Sequence, residues 1–274
     1  MAVSLNLDHK DYQVGDTIRA AVVVTNDGDK PVVLPLPDFC LHGASFRLVR
    51  PGGSQSWLTR VGPQPATRSV PQGQSLSGTI ELIAVEAGQL QLQAVYNPRR
   101  PAPDFRDDQA EISAPVALSV RAGRRLRVRL DTEAGPIEME FFPEAAHNHV
   151  LSFVQLAARG YFNGISFHRI VPGFVIQGGD PTGGGSGGPG YKLPAEFSPR
   201  LHDDGVLSMA RTSDPHSAGS QFFICLGRER TAALDNQYTV FGRVVSGLEA
   251  VHTIGAGESN AGKYHMRRAE VIVA

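Results

Sequence analysis

The sequence predicts a mainly β protein of two domains, and three observations lead to this prediction. The 274 residues include 30 glycines and 19 prolines, roughly 18% against an average of about 12%, which indicates many turns. Short β-branched or alternating stretches recur along the chain, as strands require. Helix-like periodicity first occurs beyond residue 122, so the chain divides there. Hydrophobic residues at 41% and charged residues at 19% indicate an ordered core rather than disorder.

Residues 1–121 consist of short apolar stretches separated by turn residues. Thr17–Thr25 is rich in β-branched side chains and precedes the turn residues 26–29, while residues 90–95 alternate between apolar and polar. About seven strands in roughly 120 residues predict an antiparallel sandwich that resembles immunoglobulin domains in architecture. The Cys…Trp…Cys pattern of antibodies is missing, because Cys40 precedes Trp57 and this domain has no second cysteine.

Residues 122–125 form the predicted linker, and residues 126–274 form the second domain. Residues 126–130 and 137–141 alternate apolar and polar on either side of a turn at Gly135, which predicts a hairpin. A predicted helix opens at Pro143, and its apolar residues recur at helical spacing before Gly160 ends it. A second periodic segment ends at Gly255. Strands and glycine-bearing loops account for the rest of this domain.

Charge, cysteine content and hydropathy exclude several classes of protein. With 26 basic and 27 acidic residues the net charge is −1, so the basic surface of nucleic-acid-binding proteins is missing. Cys40 and Cys225 are expected to be free thiols in a reducing compartment, since zinc sites and disulfide frameworks need closely spaced cysteines. We see neither a leader peptide nor an apolar run of about 18 residues. We therefore expect a soluble, cytoplasmic protein with no nucleic-acid or membrane partner.

Two glycine motifs and one histidine pair do not qualify as functional sites. Residues 182–190 contain both a GxGxxG and a GxSxG string, but Pro189 and Pro194 prevent the helix that a phosphate site or a serine elbow requires. A flexible surface loop is the better interpretation. His147 and His149 are two residues apart on the predicted helix, so they point in different directions and do not share a metal ion. We expect no cofactor and no metal.

Three blocks in the second domain determine its interpretation. They are FHRIVPGFVIQGGD at 167–180, LSMAR at 207–211 followed by SAGSQFFI at 217–224, and LDNQYTVFGRV at 234–244. In this order and spacing they resemble the cyclophilins, a family of peptidyl-prolyl cis-trans isomerases. The resemblance covers residues 126–274 and implies an eight-stranded closed β-barrel capped by two helices. It leaves residues 1–121 unassigned.

The resemblance also implies the site residues. Isomerisation must cross a barrier of ~18–20 kcal/mol but needs no nucleophile, metal or proton relay. Arg169 matches the catalytic arginine, which would donate a hydrogen bond to the prolyl nitrogen once the bond is twisted, and Gln221 supports it. An apolar pocket would hold the proline ring, and flanking groups would anchor the peptide. The implied substrate-binding residues are Phe174, Val175, Gln177, Ala210, Arg211, Phe223, Leu234 and Tyr238.

Two functions fit these residues. The first is an isomerase that acts on Xaa-Pro bonds and assists protein folding. Its partners are proline-containing peptides and unfolded or partly folded proteins, with residues 1–121 holding clients or a specific protein partner. The alternative is a proline-recognising adaptor or chaperone module with little turnover. Taken singly, Phe174, Phe223 and Leu234 fit an ordinary core equally well.

Four positions depart from the pattern of many cyclophilins. Val175 replaces methionine, Arg211 asparagine, Tyr238 histidine, and Ala233 a tryptophan that contacts the inhibitor cyclosporin in many relatives. These departures favour the bacterial branch of the family and predict weak inhibition by cyclosporin.

Overall fold

The computed structural model describes residues 1–39, 43–63, 65–97 and 110–274. Cys40, one of the two predicted free thiols, lies outside the described residues. The chain forms two units, Met1–Gly123 and Arg124–Ala274, so the division falls within residues 122–125.

The first unit is built from short strands. Those among its described residues are β1 (Ala2–Leu7), β2 (Asp11–Gln13), β3 (Thr17–Thr25), β4 (Val32–Pro35), β5 (Ala44–Val49), β6 (Gln55–Leu58), β7 (Thr67–Val70), β8 (Ser75–Ile83), β9 (Gly88–Tyr96), β10 (Glu111–Ile112) and β11 (Val116–Arg121). One sheet has the order β1-β3-β8 and a second β2-β11-β9-β5-β6, with β10 beside β9; β4 and β7 form a separate pair.

Burial in the first unit follows the alternation of the sequence. In β3, Ile18, Ala20, Val22 and Val24 are buried while the residues between them are more exposed. Strand β9 follows the same period of two from Leu90 to Ala94. Alternate side chains of a strand point to opposite faces, so each sheet has one apolar face and one wetter face.

The first unit differs from the sequence prediction in two respects. Its described residues contain eleven strands rather than about seven, because several predicted loops pair as strands of two to four residues. One ladder is parallel, since β2 runs alongside β11 with Asp11 opposite Ser119. The chain crosses from the first sheet to the second between β1 and β2. The buried Tyr12 holds this crossing, because its hydroxyl donates to Asp8 Oδ1 at 2.7 Å and to the carbonyl of His9 at 2.8 Å. The immunoglobulin-like assignment stays a prediction.

The second unit combines strands with two α-helices. Its elements are β12 (Leu126–Thr132), β13 (Gly135–Phe141), α1 (Pro143–Ala158), β14 (Ile165–Ser166), β15 (Arg169–Val171), β16 (Val175–Gly178), β17 (Val206–Met209), β18 (Phe222–Cys225), β19 (Val240–Ser246), α2 (Leu248–Gly255), β20 (His265–Met266) and β21 (Arg268–Val273). The mainly β class with two helices is therefore confirmed. Among the described residues, no helix has the length and apolar character needed to cross a membrane.

Helix α1 is buried from Ala146 to Ala157. Its first turn is irregular, since Ala146 has a non-helical φ of −149°. The Glu196 carboxylate accepts the backbone N–H groups of Asn148 and His149 at 3.2 and 3.0 Å, which supplies the anionic cap that a helix N-terminus favours. The same carboxylate contacts His149 Nδ1 at 2.6 Å. On the buried face, Phe153 packs edge-to-face against Phe222 of β18.

The closed barrel that the family resemblance implies is wrong, because the ladder of hydrogen-bonded strands is open. The eight strands run β15-β16-β18-β17-β19-β13-β12-β21, and in this part of the described chain the end strands β15 and β21 do not pair. Just before each end strand, the chain pairs elsewhere: Ile165 of β14 lies opposite Met266 of β20. The Phe167 N–H also donates to the Tyr264 carbonyl. The segments that precede the two end strands thus pair with each other outside the ladder, and the sheet is a curled half-barrel.

Candidate active site

An apolar cluster lies between strands β16, β18, β17 and β19. Its buried members are Val175, Val206, Phe223, Cys225 and Val240, and the partly buried side chains packed against them are Phe142, Phe174, Ala210, Leu234 and Tyr238. Six predicted substrate-binding residues belong to this cluster: Phe174, Val175, Ala210, Phe223, Leu234 and Tyr238. Residues distant in sequence thus form one patch, with buried side chains beneath and half-buried ones at its rim.

Local backbone geometry places the aromatic side chains of this patch. Gly173 adopts a positive φ of 65°, and the following Phe174 closes the turn by donating its N–H to the Val171 carbonyl at 3.0 Å. Strand β16 then lies against β18 with Val175 opposite Cys225. Across the patch, the rings of Phe223 and Tyr238 pack edge-to-face with centroids 5.9 Å apart. The patch therefore has paired strand residues at its base and aromatic side chains at its rim.

A row of polar side chains lies on the neighbouring strands. Arg169 of β15 and Gln177 of β16 are cross-strand partners, and Arg169 Nη1 donates to Gln177 Oε1 at 3.3 Å. Gln177 Nε2 in turn donates to Gln221 Oε1 at 3.0 Å. Arg169 is exposed, whereas both glutamines are half-buried. The structure thus brings both predicted catalytic residues, Arg169 and Gln221, together with Gln177 in one hydrogen-bonded chain.

The glycine-rich loop supports this chain of hydrogen bonds, a role that the sequence analysis missed. Gln221 Nε2 donates to the carbonyls of Gly185 and Gly187, both at 2.9 Å. The loop is held by the buried Asp180, which accepts the N–H groups of Thr182 at 2.7 Å and Gly187 at 3.1 Å. Burial favours a raised pKa for Asp180, but the hydrogen bonds from Thr182 and Gly187 outweigh it and hold this pKa below its usual range.

Arg211 and Ala210 serve the site in ways that the resemblance did not indicate. The Arg211 guanidinium lies 4.4 Å from the centroid of the Tyr238 ring, and its Nε donates to the Gln237 carbonyl at 3.1 Å. The Ala210 N–H donates to the Gln221 carbonyl at 3.0 Å, which joins the end of β17 to the residue before β18. Among the described residues, the backbone N–H and C=O of Arg211 make no hydrogen bond.

A buried polar cluster under the aromatic rim was also missed. His202 Nδ1 lies 3.0 Å from Asp235 Oδ1, and His202 Nε2 lies 3.0 Å from Ser208 Oγ. The His202 ring stacks on Phe223 with centroids 6.1 Å apart, and Arg228 contacts the Asp235 carboxylate. Sequence offered no signal for this cluster, because its members lie on three separate segments.

This cluster has the residue types of a serine-hydrolase triad but not the access that one needs. The side chains of His202 and Ser208 are fully buried, and Ser208 Oγ donates to the Thr239 carbonyl at 3.0 Å. Burial lowers the pKa of His202, which favours the neutral ring, and the Arg228 hydrogen bond holds the pKa of Asp235 well below its usual range. The cluster therefore supports the pocket and does not attack substrate.

The comparisons with known proteins concern the second unit. The family model described as cyclophilin type peptidyl-prolyl cis-trans isomerase matches residues 127–273, more than half of the chain. A peptidyl-prolyl cis-trans isomerase of Synechococcus elongatus is 44% identical over 131 residues, 47% of this chain and 88% of the relative. Peptidyl-prolyl cis-trans isomerase B of Bacillus subtilis is 45% identical over 128 residues, 46% and 87% of the two chains.

A solved structure agrees with these relatives. It is a cyclophilin type isomerase of Cryptosporidium parvum in the presence of the dipeptide Ala-Pro, 32% identical with a TM-score of 0.50. The match covers 53% of this chain and 98% of the solved one. The predicted enzyme class is thus confirmed: the chain belongs to the cyclophilin-type peptidyl-prolyl cis-trans isomerases.

Proposed function

We propose that the chain isomerises Xaa-Pro bonds by a non-covalent mechanism in which Arg169 donates a hydrogen bond to the twisted prolyl nitrogen. The observation that supports this mechanism is the placement of Arg169 on a strand beside the apolar patch, with one guanidinium nitrogen held by Gln177. Uncatalysed exchange takes tens to hundreds of seconds. An ordinary turnover requires three to five decades of acceleration, roughly 4–7 kcal/mol.

The apolar patch supplies the first part of this acceleration. Proline packs its ring against Phe174, Phe223 and Leu234, over the buried Val175. The planar amide is more dipolar than the twisted one, so removal of water costs the planar ground state more. The solved relative crystallised with Ala-Pro supports a proline-containing ligand for this patch.

Arg169 supplies the second part. Guanidinium groups carry five donors and a permanent charge, and Gln177 occupies only one of these donors. The prolyl nitrogen accepts a hydrogen bond only when its lone pair is released by twisting. An interaction that exists only in the transition state lowers the barrier instead of tightening substrate binding.

Peptide anchoring supplies the third part. Gln177 and Gln221 present amide groups beside Arg169, and the backbone of Arg211 offers one free donor and one free acceptor among the described residues. Holding the chain on one side of the proline makes the other side rotate, so binding energy is directed to the reacting bond.

The alternative function, a proline-recognising adaptor with little turnover, is tested by substitution of Arg169. Exchange of an Ala-Pro peptide, followed by NMR, should show catalysis by the wild type. Arg169→Ala should lower turnover by about one decade or more while peptide affinity changes less. Equal loss of turnover and affinity would favour the adaptor. Because arginine stays protonated below pH ~12, turnover should be nearly flat from pH 6 to 8.

For the first unit we propose an immunoglobulin-like sandwich that holds client chains or a specific protein partner near the isomerase. The strand orders β1-β3-β8 and β2-β11-β9-β5-β6 support two sheets of this kind. Together with the second unit, it would assist the folding of unfolded or partly folded proteins. Refolding of an aggregation-prone protein with the full chain and with residues 124–274 alone tests this role, and equal behaviour would contradict client capture.

We also propose a cytoplasmic location and membership of the bacterial branch. The buried, unpaired thiol of Cys225 supports a reducing compartment. The departures at Val175, Arg211, Ala233 and Tyr238 support the bacterial branch and weak inhibition by cyclosporin. Cell fractionation tests the location, and a titration that found tight cyclosporin binding would contradict the predicted weak inhibition.

A further inference from the structure

We propose that the rim of the proline pocket selects peptides with an anionic group close to the proline. This inference rests on the proposed function, because it concerns the same pocket. Three arginines, Arg169, Arg211 and Arg230, lie beside the residues of the apolar patch, and two of them are fixed against its aromatic side chains. We call these three residues the arginine rim.

Aromatic rings and backbone carbonyls hold two members of the arginine rim in place. The Arg230 guanidinium lies 5.3 Å from the centroid of the Phe174 ring, and its Nη1 donates to the Pro172 carbonyl at 3.1 Å. The Arg211 guanidinium lies 4.4 Å from the Tyr238 centroid, with its Nη1 donating to the Thr212 carbonyl at 2.9 Å. Cation–π packing orients both charges without neutralising them.

The arginine rim lacks carboxylate partners, unlike most arginines of this unit. In the second unit, seven arginines have a carboxylate oxygen within 4.0 Å: Arg127, Arg129, Arg200, Arg228, Arg243, Arg267 and Arg268. Among the described residues, no carboxylate lies that close to a nitrogen of Arg169, Arg211 or Arg230, although Glu229 adjoins Arg230 in the chain. The three cations beside the apolar patch thus have no carboxylate partner among the described residues.

Nearby acidic residues are engaged elsewhere. Asp235, which follows the pocket residue Leu234, is bound by Arg228 and His202. Asp214 accepts the backbone N–H of His216 at 2.8 Å within its own loop. Peptides that place an anion over the arginine rim would therefore gain electrostatic attraction, because these guanidinium groups have no carboxylate partner among the described residues.

The chemistry of guanidinium groups defines the ligand. Their planar donors match the paired oxygens of a carboxylate or a phosphate. Both Asp or Glu side chains and phosphorylated Ser or Thr next to proline present such oxygens. Exposed ion pairs are weak one by one, but three cations would act together on one bound peptide, so we expect kcat/KM about 5- to 20-fold higher for Glu than for Gln.

The test compares peptides of one Ala-Pro frame. Glu, Gln or phosphoserine is placed in turn at each of two positions before and two positions after the proline, and exchange is followed by NMR without a coupling protease. We expect the ratio of kcat/KM for Glu over Gln to exceed about five at one or more positions and to fall as salt is raised. The phosphoserine series shows whether phosphate replaces carboxylate at that position.

Two variants and one control assign any selectivity to the arginine rim. Arg230→Gln and Arg211→Gln should each lower the Glu/Gln ratio about threefold, and this ratio does not depend on the fraction of folded enzyme. Arg159→Gln removes an exposed charge beyond the end of α1 and should leave the ratio unchanged. Equal rates for all peptides, or a ratio that both rim variants leave intact, would overturn the inference. No catalysis of the Gln peptides by the wild type would instead contradict the proposed function.

Discussion

Gln177 tests whether the orientation of Arg169, and not only its charge, matters for catalysis. Gln177→Leu removes the acceptor of a 3.3 Å hydrogen bond from Arg169 and the donor of a 3.0 Å bond to Gln221. Hydrogen bonds of charged groups contribute about 1.5–3 kcal/mol at short distances, and a 3.3 Å bond lies at or below the weak end of that range. If the lost orientation of Arg169 raises the activation free energy by about 0.5–1.5 kcal/mol, kcat should fall roughly 2- to 12-fold.

This loss should be smaller than the decade or more expected for Arg169→Ala, because the guanidinium remains next to the pocket. The assay is NMR exchange of an Ala-Pro peptide at saturating concentrations, which separates kcat from affinity. A matched control exists in the first unit, where Arg47 Nε donates to Gln93 Oε1 at 3.0 Å across two strands. Gln93→Leu should leave kcat unchanged. If Gln177→Leu has no effect on kcat, or lowers it as much as Arg169→Ala, the positioning role of Gln177 is wrong.

Three further predictions concern stability and reactivity. Burial lowers the pKa of His202 below 6.5, so the unfolded chain binds more protons than the folded one in this range. The free energy of unfolding should therefore fall as pH drops below about 6.5. His202→Gln should reduce this dependence in urea titrations, and an unchanged dependence would contradict the contribution of His202. Burial raises the pKa of the Cys225 thiol to about 12, so thiol reagents at pH 8 should modify it only after denaturation, and rapid native labelling would contradict its burial. Gly247 has a φ of 84°, and an added Cβ would lie 2.0 Å from the Pro136 carbonyl oxygen, so Gly247→Ala should lower the free energy of unfolding by about 2–4 kcal/mol. The control Gly262→Ala, at a φ of 76° with open space around the added Cβ, should lower it by only about 1 kcal/mol. Equal losses for the two variants would mean that the clash at Gly247 is relieved.

The candidate site shows which features are local in sequence. Arg169 and Gln177 lie within one signature block. They are eight residues apart in the chain, and one hairpin pairs them. Aromatic and apolar pocket residues occur in ordered blocks, so their joint presence predicts the patch that the structure contains. The bond from Gln221 to Gly185 joins segments 36 residues apart, and its acceptor is a backbone carbonyl, which any residue type provides. No sequence pattern marks such a carbonyl.

The buried cluster beneath the rim shows a similar limit. His202, Ser208 and Asp235 are common residue types at unremarkable spacing, and the fold brings them together from strand β17 and two separate loops. The composition of the glycine-rich run permits turns and predicts a flexible surface loop. In the structure Gly187 must be glycine for a different reason, since an added Cβ would lie 2.1 Å from Asp180 Oδ1.

By itself the sequence determined the mainly β class, the two helices of the second unit, the isomerase family and the residue types of the pocket. Each of these depends on short-range periodicity or on ordered blocks, which are properties of the chain alone. Tertiary structure decided that the eight-stranded ladder stays open at β15 and β21, that β2 pairs in parallel with β11, and that the glycine loop supports Gln221. Such pairings are choices between distant backbone groups, and backbone hydrogen bonding is nearly independent of residue type until packing selects one partner.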